Sequence, residues 1–555
     1  MTRDSHSPIE FHLPVIALGL AMAVALALRL PGMAQSLWFD EACMSGQRLG
    51  SLARLASLLY VDIHPPLYVL WMVVSNHLFG DSEVSMRMLP LLSGLASLPL
   101  AFDVGRRLVG PRAALWSVWL LALSPVHIWY STEARLYLPM TFLVLSAVSL
   151  YHRLLAGDGR RCIRVLYALV VGLMLSLHYY LVPYVVLFSC AAPWLGRRCA
   201  QPEFARRILR TNGVMLALLS LWVGAKLVVA HLETSQAYLR ALTLPGLFEF
   251  LFAWCWTGNG LSAGLRVSGD NTYRVLWVLS QGLGVVLFAG GLRCALRNPG
   301  RELGGPATVL YLLAIPGALL VLPLVGLDAT YIERSALPAL PFFVFLVALG
   351  LTSLRSPFVR RFAQVAVLAS CSVNLAAAVV HGEEWTVYKP HPDWRSATAY
   401  LSEEIDDGEG DRPLFSALPN PRSLSYYDRR IQQVMNLTAD QPGLERLCSI
   451  LVERLGEGPG GWIAGRARAL AKDFERSRAE LLEKARMRVY PSGSGRLADL
   501  KLPERSPDGV FYLVVNRWWP SRDTAAESLL ALPHLRTLEE RSFESLKIYK
   551  LERRR

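Results

Sequence analysis

The sequence predicts a polytopic α-helical membrane protein with a C-terminal soluble α/β or α+β domain. Three observations predict it. Of 555 residues, 53% are apolar and only 18% charged. The long apolar runs are confined to residues 1–381. From 382 to 555 the composition returns to that of an ordinary soluble domain. A soluble chain of this length would divide into several domains and need more charge to cover them. The same figures exclude a cytosolic enzyme, a disulfide-stapled secreted module and a disordered chain.

A bilayer crossing needs ~20 largely apolar residues. Runs approaching that length lie at 13–30, 84–104, 111–130, 136–152, 165–180, 181–196, 212–231, 273–293, 307–327, 335–353 and 361–381. The expected count is therefore eleven helices, with 13 as the upper bound. Leu13–Leu30 is too long for a signal peptide and lacks a small-residue cleavage site, so it reads as a retained helix. Pro66–Phe79 offers only about 14 apolar residues, which suits an interfacial or re-entrant segment within a first external loop, 31–83.

The formal net charge of +13 first suggests a nucleic-acid partner. Its placement argues otherwise. Arginines cluster at 106–112, 153–164, 197–210, 293–301 and 355–361, each time between apolar runs, while alternate connections lack them. This is the positive-inside pattern. It puts the N-terminus in the cytoplasm and the C-terminal domain outside, and nucleic acid is not expected as a partner.

On the external side, Leu52–Tyr60 has the pattern of an amphipathic helix lying on the membrane. Loop 232–272 carries Phe248, Phe250, Phe252, Trp254 and Trp256, which fits an aromatic cover at the interface. In the soluble part, Asp393–Glu404 reads as a helix, Pro413–Ala417 as a strand and Arg466–Arg488 as a long charged helix. Gly509–Asn516 reads as a strand, Ala525–Leu530 as a short helix and Ser545–Leu551 as a final strand. The eight cysteines form no CxxC pair, so neither a disulfide framework nor a zinc site follows.

Three motifs on the external side carry chemistry. Trp38-Phe39-Asp40-Glu41-Ala42 follows the first helix. A carboxylate beside aromatic surface is partly desolvated and suited to proton abstraction; the bland alternative is that Asp40 caps a helix and Glu41 complements its dipole. Asp62-Ile63-His64-Pro65-Pro66 restarts the chain before an apolar helix, with His64 at the membrane boundary as a donor, phosphate contact or ligand. Trp129-Tyr130-Ser131-Thr132-Glu133-Ala134-Arg135-Leu136-Tyr137 brings Glu133 and Arg135 to the start of an apolar helix, where charge needs a partner or a function. Arg87 and Tyr331-Ile332-Glu333-Arg334 pose the same question. Three guanidiniums at one face suit a phosphate, which arginine grips with a bidentate fork; snorkelling is the alternative for each alone. His64, His127, His178 and His231 share that face without a metal-ligand spacing, and His178-Tyr179-Tyr180 reads as belt anchoring.

Taken in order, these motifs, together with Gly105-Arg106-Arg107-Leu108 and Leu123-Ser124-Pro125, resemble the GT-C superfamily of polytopic glycosyltransferases. The nearest group contains protein O-mannosyltransferases and lipid A aminoarabinose transferases. The likeness runs from about 13 to 153 and resumes at Arg334–Pro341 and Pro392–Tyr400. Two departures stand out: Arg334 is separated from Tyr331, and Thr132 stands where glutamine is common. The resemblance implies a transmembrane catalytic domain, 1–381, and a periplasmic domain, 382–555, in a bacterial inner membrane. It implies an inverting transfer from a polyprenyl-phosphate-linked sugar to a lipid, glycan or protein acceptor. Asp40 and Glu41 are then the catalytic carboxylates, with Asp40 as general base. His64, Arg87, Glu133, Arg135, Tyr137 and Arg334 surround the donor phosphate. No cofactor is assigned, although a divalent cation would be an alternative stabiliser of the phosphate. The rival reading is a transporter or flippase of lipid-linked substrates, which predicts mid-membrane charges and inverted repeats. Here the charges gather at one face and no repeat is evident.

Overall fold

The computed structural model describes residues 8–42, 59, 64–229, 241–297, 304–326, 331–381, 393–406, 414–416, 427, 489–491, 510–516, 535–543 and 546–553. The amphipathic segment at 52–60 (Leu59 apart) and the helices expected at 466–488 and 525–530 lie outside them.

Within the described residues, each of the eleven apolar runs is largely helical. The chain opens with α1 (Pro8–Arg29), a 3-10 turn (Leu30–Ala34) and a single helical turn, α2 (Phe39–Ala42). Then come α3 (Pro66–Phe79), α4 (Glu83–Leu108), α5 (Pro111–Leu123), α6 (Pro125–Ser131), α7 (Tyr137–Leu155), α8 (Arg161–Leu177), α9 (Val182–Arg198) and α10 (Pro202–Val229). The short α11 (Leu244–Phe248) runs into a π-helical stretch (Glu249–Trp256) and is followed by α12 (Gly260–Ser268). The late helices are α13 (Asn271–Arg297), α14 (Gly304–Val321), α15 (Leu340–Ser353) and α16 (Pro357–Val380).

Among the described residues, nine helices are long and apolar enough to cross a membrane, and the pair α5–α6, bent by 62°, makes ten. The eleventh run is α8, one turn shorter than most at 17 residues. The α5–α6 bend sits at Ser124-Pro125: the proline cannot continue α5, and the serine hydroxyl caps α6 by accepting from His127 N at 3.3 Å. Helix α3 has 14 residues, so it rises about 21 Å and falls short of the hydrocarbon core. Its exposed Leu78 and Phe79 sit beside the polar start of α4, as an interfacial helix requires.

The centre of the bundle is α15, buried on nearly all sides. It meets α13 where Gly291 and Gly350 let the backbones touch; a Cβ on Gly291 would overlap the carbonyl oxygen of Leu346, and one on Gly350 that of Leu287. Small residues at such crossings replace the hydrophobic drive that lipid does not supply.

Beyond the bundle, α17 (Trp394–Asp406) packs on a five-stranded mixed sheet of order β2-β1-β3-β5-β4. The strands are β1 (Leu414–Ser416), β2 (Val489–Pro491), β3 (Val510–Asn516), β4 (Leu535–Phe543) and β5 (Leu546–Arg553). β1 runs parallel to β2 and β3, whereas β5 is antiparallel to β3 and β4, with a bulge between Thr537 and Glu539. Trp394, Ala397 and Leu401 from α17 close a small core with Tyr512, Val514, Leu546 and Ile548. The sequence expectation of an α/β or α+β domain matches this sheet; β4 is an addition, since its run Leu-Arg-Thr-Leu-Glu-Glu-Arg-Ser-Phe has no apolar alternation to announce it.

Candidate active site

The motif residues converge where α1, α2, α4, the α6–α7 break and the start of α15 meet. Their side chains fall into two groups, one saturated by the protein and one aimed into the site.

The saturated group is Glu41 and Arg87, both without exposed side-chain surface. Arg87 donates from Nε to Glu41 Oε1 at 2.9 Å and from Nη2 to Glu41 Oε2 at 2.6 Å. Its remaining N–H groups reach the carbonyls of Gly32, Met33, Gln35 and Ser36 at 2.7–3.3 Å. Glu41 also accepts from Ala134 N at 2.6 Å and Trp38 N at 3.2 Å. All five guanidinium hydrogens are thus engaged by the protein. Sequence reasoning expected Glu41 in catalysis and Arg87 on phosphate; the structure brings the two together as a buried, hydrogen-bonded ion pair. It fixes segment 32–36 at the end of the 3-10 turn, the turn bearing Asp40 and the break at Ala134 in one frame.

The second group faces the site. Asp40 sits on α2 with its side chain 22% exposed, and its Oδ2 lies 3.4 Å from Nη2 of Arg334, an ion pair too long for a strong hydrogen bond. Arg334 enters from the 3-10 turn Glu333–Ala339 that leads into α15 and lies over the rings of Trp38 and Tyr137, 6.0 and 5.9 Å from their centroids. Arg135 lies in the non-helical break between α6 and α7, over the ring of Tyr68 at 5.8 Å. Asp40 interacts electrostatically with both guanidiniums, which repel each other. Among the described residues, the buried Nε atoms of Arg135 and Arg334 have no hydrogen-bond acceptor. A guanidinium N–H left so in a buried setting costs about 1–3 kcal/mol.

Glu133 accepts from the indole of Trp129 at 2.7 Å and is buried. The Tyr68 hydroxyl donates to Ala134 O at 2.7 Å and so holds the break open from α3. Tyr137 stacks edge-on with Tyr130, which meets Trp254 at 5.8 Å. The aromatic loop expected as a cover therefore does reach the site wall. His64 stands at the rim, its ring 5.1 Å from that of His178 and 6.4 Å from that of Tyr68. Among the described residues no group of three or more His, Cys, Asp or Glu side chains is arranged to hold a metal ion.

Sequence reasoning missed Arg29. It is fully buried and donates to Ser131 Oγ at 3.1 Å, to the carbonyls of Ala25 and Ala122, and toward His127 Nδ1 at 2.7 Å. His127 Nε2 contacts Ser97 Oγ at 2.9 Å, and Ser97 donates to Gly94 O. An arginine facing Nδ1 makes that nitrogen the acceptor and leaves the proton on Nε2. The network ties α1, α4 and α6 together directly beneath the Glu133–Arg135 break. Its signal in the sequence is the lone arginine closing an otherwise apolar run.

The family model described as dolichyl-phosphate-mannose-protein mannosyltransferase matches residues 63–223. The structure is similar to that of ArnT from Cupriavidus metallidurans in the apo state, with a TM-score of 0.51 and 13% identity over 96% of this chain and 97% of that one. The chain shares the fold of that structure. The same ArnT bound to undecaprenyl phosphate aligns with a TM-score of 0.49 at 13% identity, covering 96% and 97% of the two chains. The oligosaccharyltransferase AglB from Archaeoglobus fulgidus aligns at 0.43 and 13%, covering 76% of this chain and 64% of that one. No curated protein matches by sequence. The matched segment contains His64, Arg87 and the Glu133–Arg135 break, whereas Asp40, Glu41 and Arg334 lie outside it.

Proposed function

We propose that the chain is an integral membrane glycosyltransferase that moves a sugar from a polyprenyl-phosphate carrier to an acceptor hydroxyl at the extracytoplasmic face. Residues 1–381 hold the chemistry, and residues 382–555 form an extracytoplasmic domain in a bacterial inner membrane. The observation that carries the reading is the pairing of one partly exposed carboxylate, Asp40, with two guanidiniums whose buried Nε atoms lack acceptors among the described residues. That is a base beside a phosphate cradle. A related ArnT structure holds undecaprenyl phosphate, a ligand of the same class.

The reaction balances simply. The Asp40 carboxylate takes the proton of the acceptor hydroxyl as its oxygen bonds to the sugar C1 from the face opposite the phosphate. The C1–O bond to phosphate breaks with inversion, and the electron pair leaves on the polyprenyl phosphate. Arg334 and Arg135 stabilise the charge that grows on that phosphate, in a site where aromatic walls lower the local dielectric. Arg334 lies nearest and exchanges its long contact with Asp40 for a phosphate oxygen. This frees the carboxylate as the donor seats itself. His64 shapes the rim, buried Glu133 supports the wall through Trp129, and the Glu41–Arg87 clamp keeps Asp40 in line.

Mass spectrometry of envelope lipids, glycans and proteins from cells carrying wild type or Asp40→Asn tests the reading. A sugar adduct present in wild type and absent in the variant is expected, at equal protein levels. Unchanged adducts would remove Asp40 as the base. Movement of an unmodified lipid-linked sugar across vesicles by the purified protein, with no bond made, would favour the transporter reading instead.

A further inference from the structure

The segment that delivers Asp40 to the site passes from a 3-10 turn (Leu30–Ala34) into irregular backbone at Gln35–Trp38, where backbone polar groups must find partners outside a helix or sheet. Arg87 supplies them from the bundle. Two further groups are met by side chains from beyond residue 390. Leu37 N donates to the hydroxyl of Tyr427 at 2.9 Å, and Ala34 O accepts from Arg395 Nη2 at 3.2 Å. Both side chains are then locked to one carboxylate at the head of α4. Arg395 pairs with Glu83 Oε1 at 2.5 Å, and Tyr427 donates to the same oxygen at 3.1 Å. The Arg395 guanidinium also lies over the Tyr427 ring at 5.9 Å. Burial pushes the Tyr427 hydroxyl up to about 12, so it remains a donor to Glu83 across the neutral range.

Glu83 and Arg87 stand four residues apart on α4 and therefore on one face. The face grips residues 32–41 twice: directly through Arg87 from the membrane side, and indirectly through Glu83, Arg395 and Tyr427 from the outer side. Arg395 belongs to the Pro392–Tyr400 stretch that resembles the family and that the chemistry above does not use.

We propose that Tyr427 and Arg395 are positioning residues for Asp40, through which the C-terminal region sets the base against the donor. Resting on the transferase reading, this gives the extracytoplasmic region a part in the chemical step. Releasing the latch lets Leu37, three residues before Asp40, swing. The Arg135–Arg334 cradle stays in place, because neither arginine is held by the latch. Small displacements of a reacting group lower turnover sharply while leaving ligand affinity alone.

The test uses full-length protein with Tyr427→Phe, Arg395→Ala, Arg395→Lys and Asp40→Asn. Three quantities are read: adduct output, affinity for undecaprenyl phosphate, and amide exchange of peptides covering Leu37. Tyr427→Phe and Arg395→Ala are expected to cut output about tenfold and speed exchange at Leu37, with affinity held within about twofold. Arg395→Lys restores most of the output, since one ammonium still reaches Glu83. Wild-type output in both Tyr427→Phe and Arg395→Ala overturns the proposal, and so does parallel loss of output and affinity, the mark of general disruption. Asp40→Asn separates the two readings. If its adducts match wild type, Asp40 is not the base and the reading on which this proposal rests has failed; if they vanish while Tyr427→Phe and Arg395→Ala are unaffected, only the positioning role has failed.

Discussion

Asp40 and Glu41 are neighbours in sequence with opposite fates. On the turn Phe39–Ala42, adjacent side chains diverge by about 100°. Glu41 points inward to Arg87 and is fully buried; Asp40 points to Arg334 and remains partly exposed. Removing one partner of a buried ion pair strands the other charge. Arg87→Ala or Glu41→Gln should therefore destabilise the protein by about 3–5 kcal/mol, seen as a lower melting temperature in detergent. Arg334→Ala should leave the melting temperature near wild type and weaken undecaprenyl phosphate about tenfold to a hundredfold, as the loss of a charge-assisted hydrogen bond predicts. An Arg334→Ala protein that binds as tightly as wild type would take Arg334 out of the phosphate cradle. The sequence made the carboxylate pair and the arginines legible, because charge at the edge of apolar runs is conspicuous. It could not sort clamp from site. That distinction depends on partners brought from other helices, and nothing in the spacing of Asp40, Glu41 and Arg87 encodes which guanidinium is already full.

At the scale of the elements, legibility followed the apolar runs. Eleven runs became helices because each is long, apolar and bounded by arginine, proline or glycine. The break between α6 and α7 was less readable. Thr132–Leu136 leaves the helix because Tyr68 and Glu41 engage the backbone of Ala134 from distant elements, so the reason is tertiary. Strand β4 was invisible for a related reason: it is an edge strand with one neighbour, and of its nine residues only Leu535 is buried. The α13–α15 crossing offers a direct check of packing at this scale. Gly291→Val would drive side-chain atoms into the Leu346 carbonyl, at a cost of about 1–3 kcal/mol or more. Reduced yield of folded protein and a lower melting temperature are expected. The same change at Gly282, with open space around it, should be tolerated.

At the scale of the molecule, the orientation proposed from the arginine clusters puts the site and the C-terminal region together outside the cytoplasm. Cys162 lies exposed at the start of α8, within one of those clusters. In a variant retaining Cys162 alone, a membrane-impermeant maleimide should label inside-out vesicles and spare intact spheroplasts; the reverse pattern would invert the topology. The central claim is that Asp40 activates the acceptor while the two arginines hold the lipid phosphate. Purified wild type and Asp40→Asn, compared side by side for undecaprenyl phosphate affinity and for formation of the sugar adduct identified in cells, test it most directly. The account predicts equal affinity within about threefold and adduct formation lowered at least a hundredfold in the variant. Adduct formation at the wild-type rate by Asp40→Asn would contradict it.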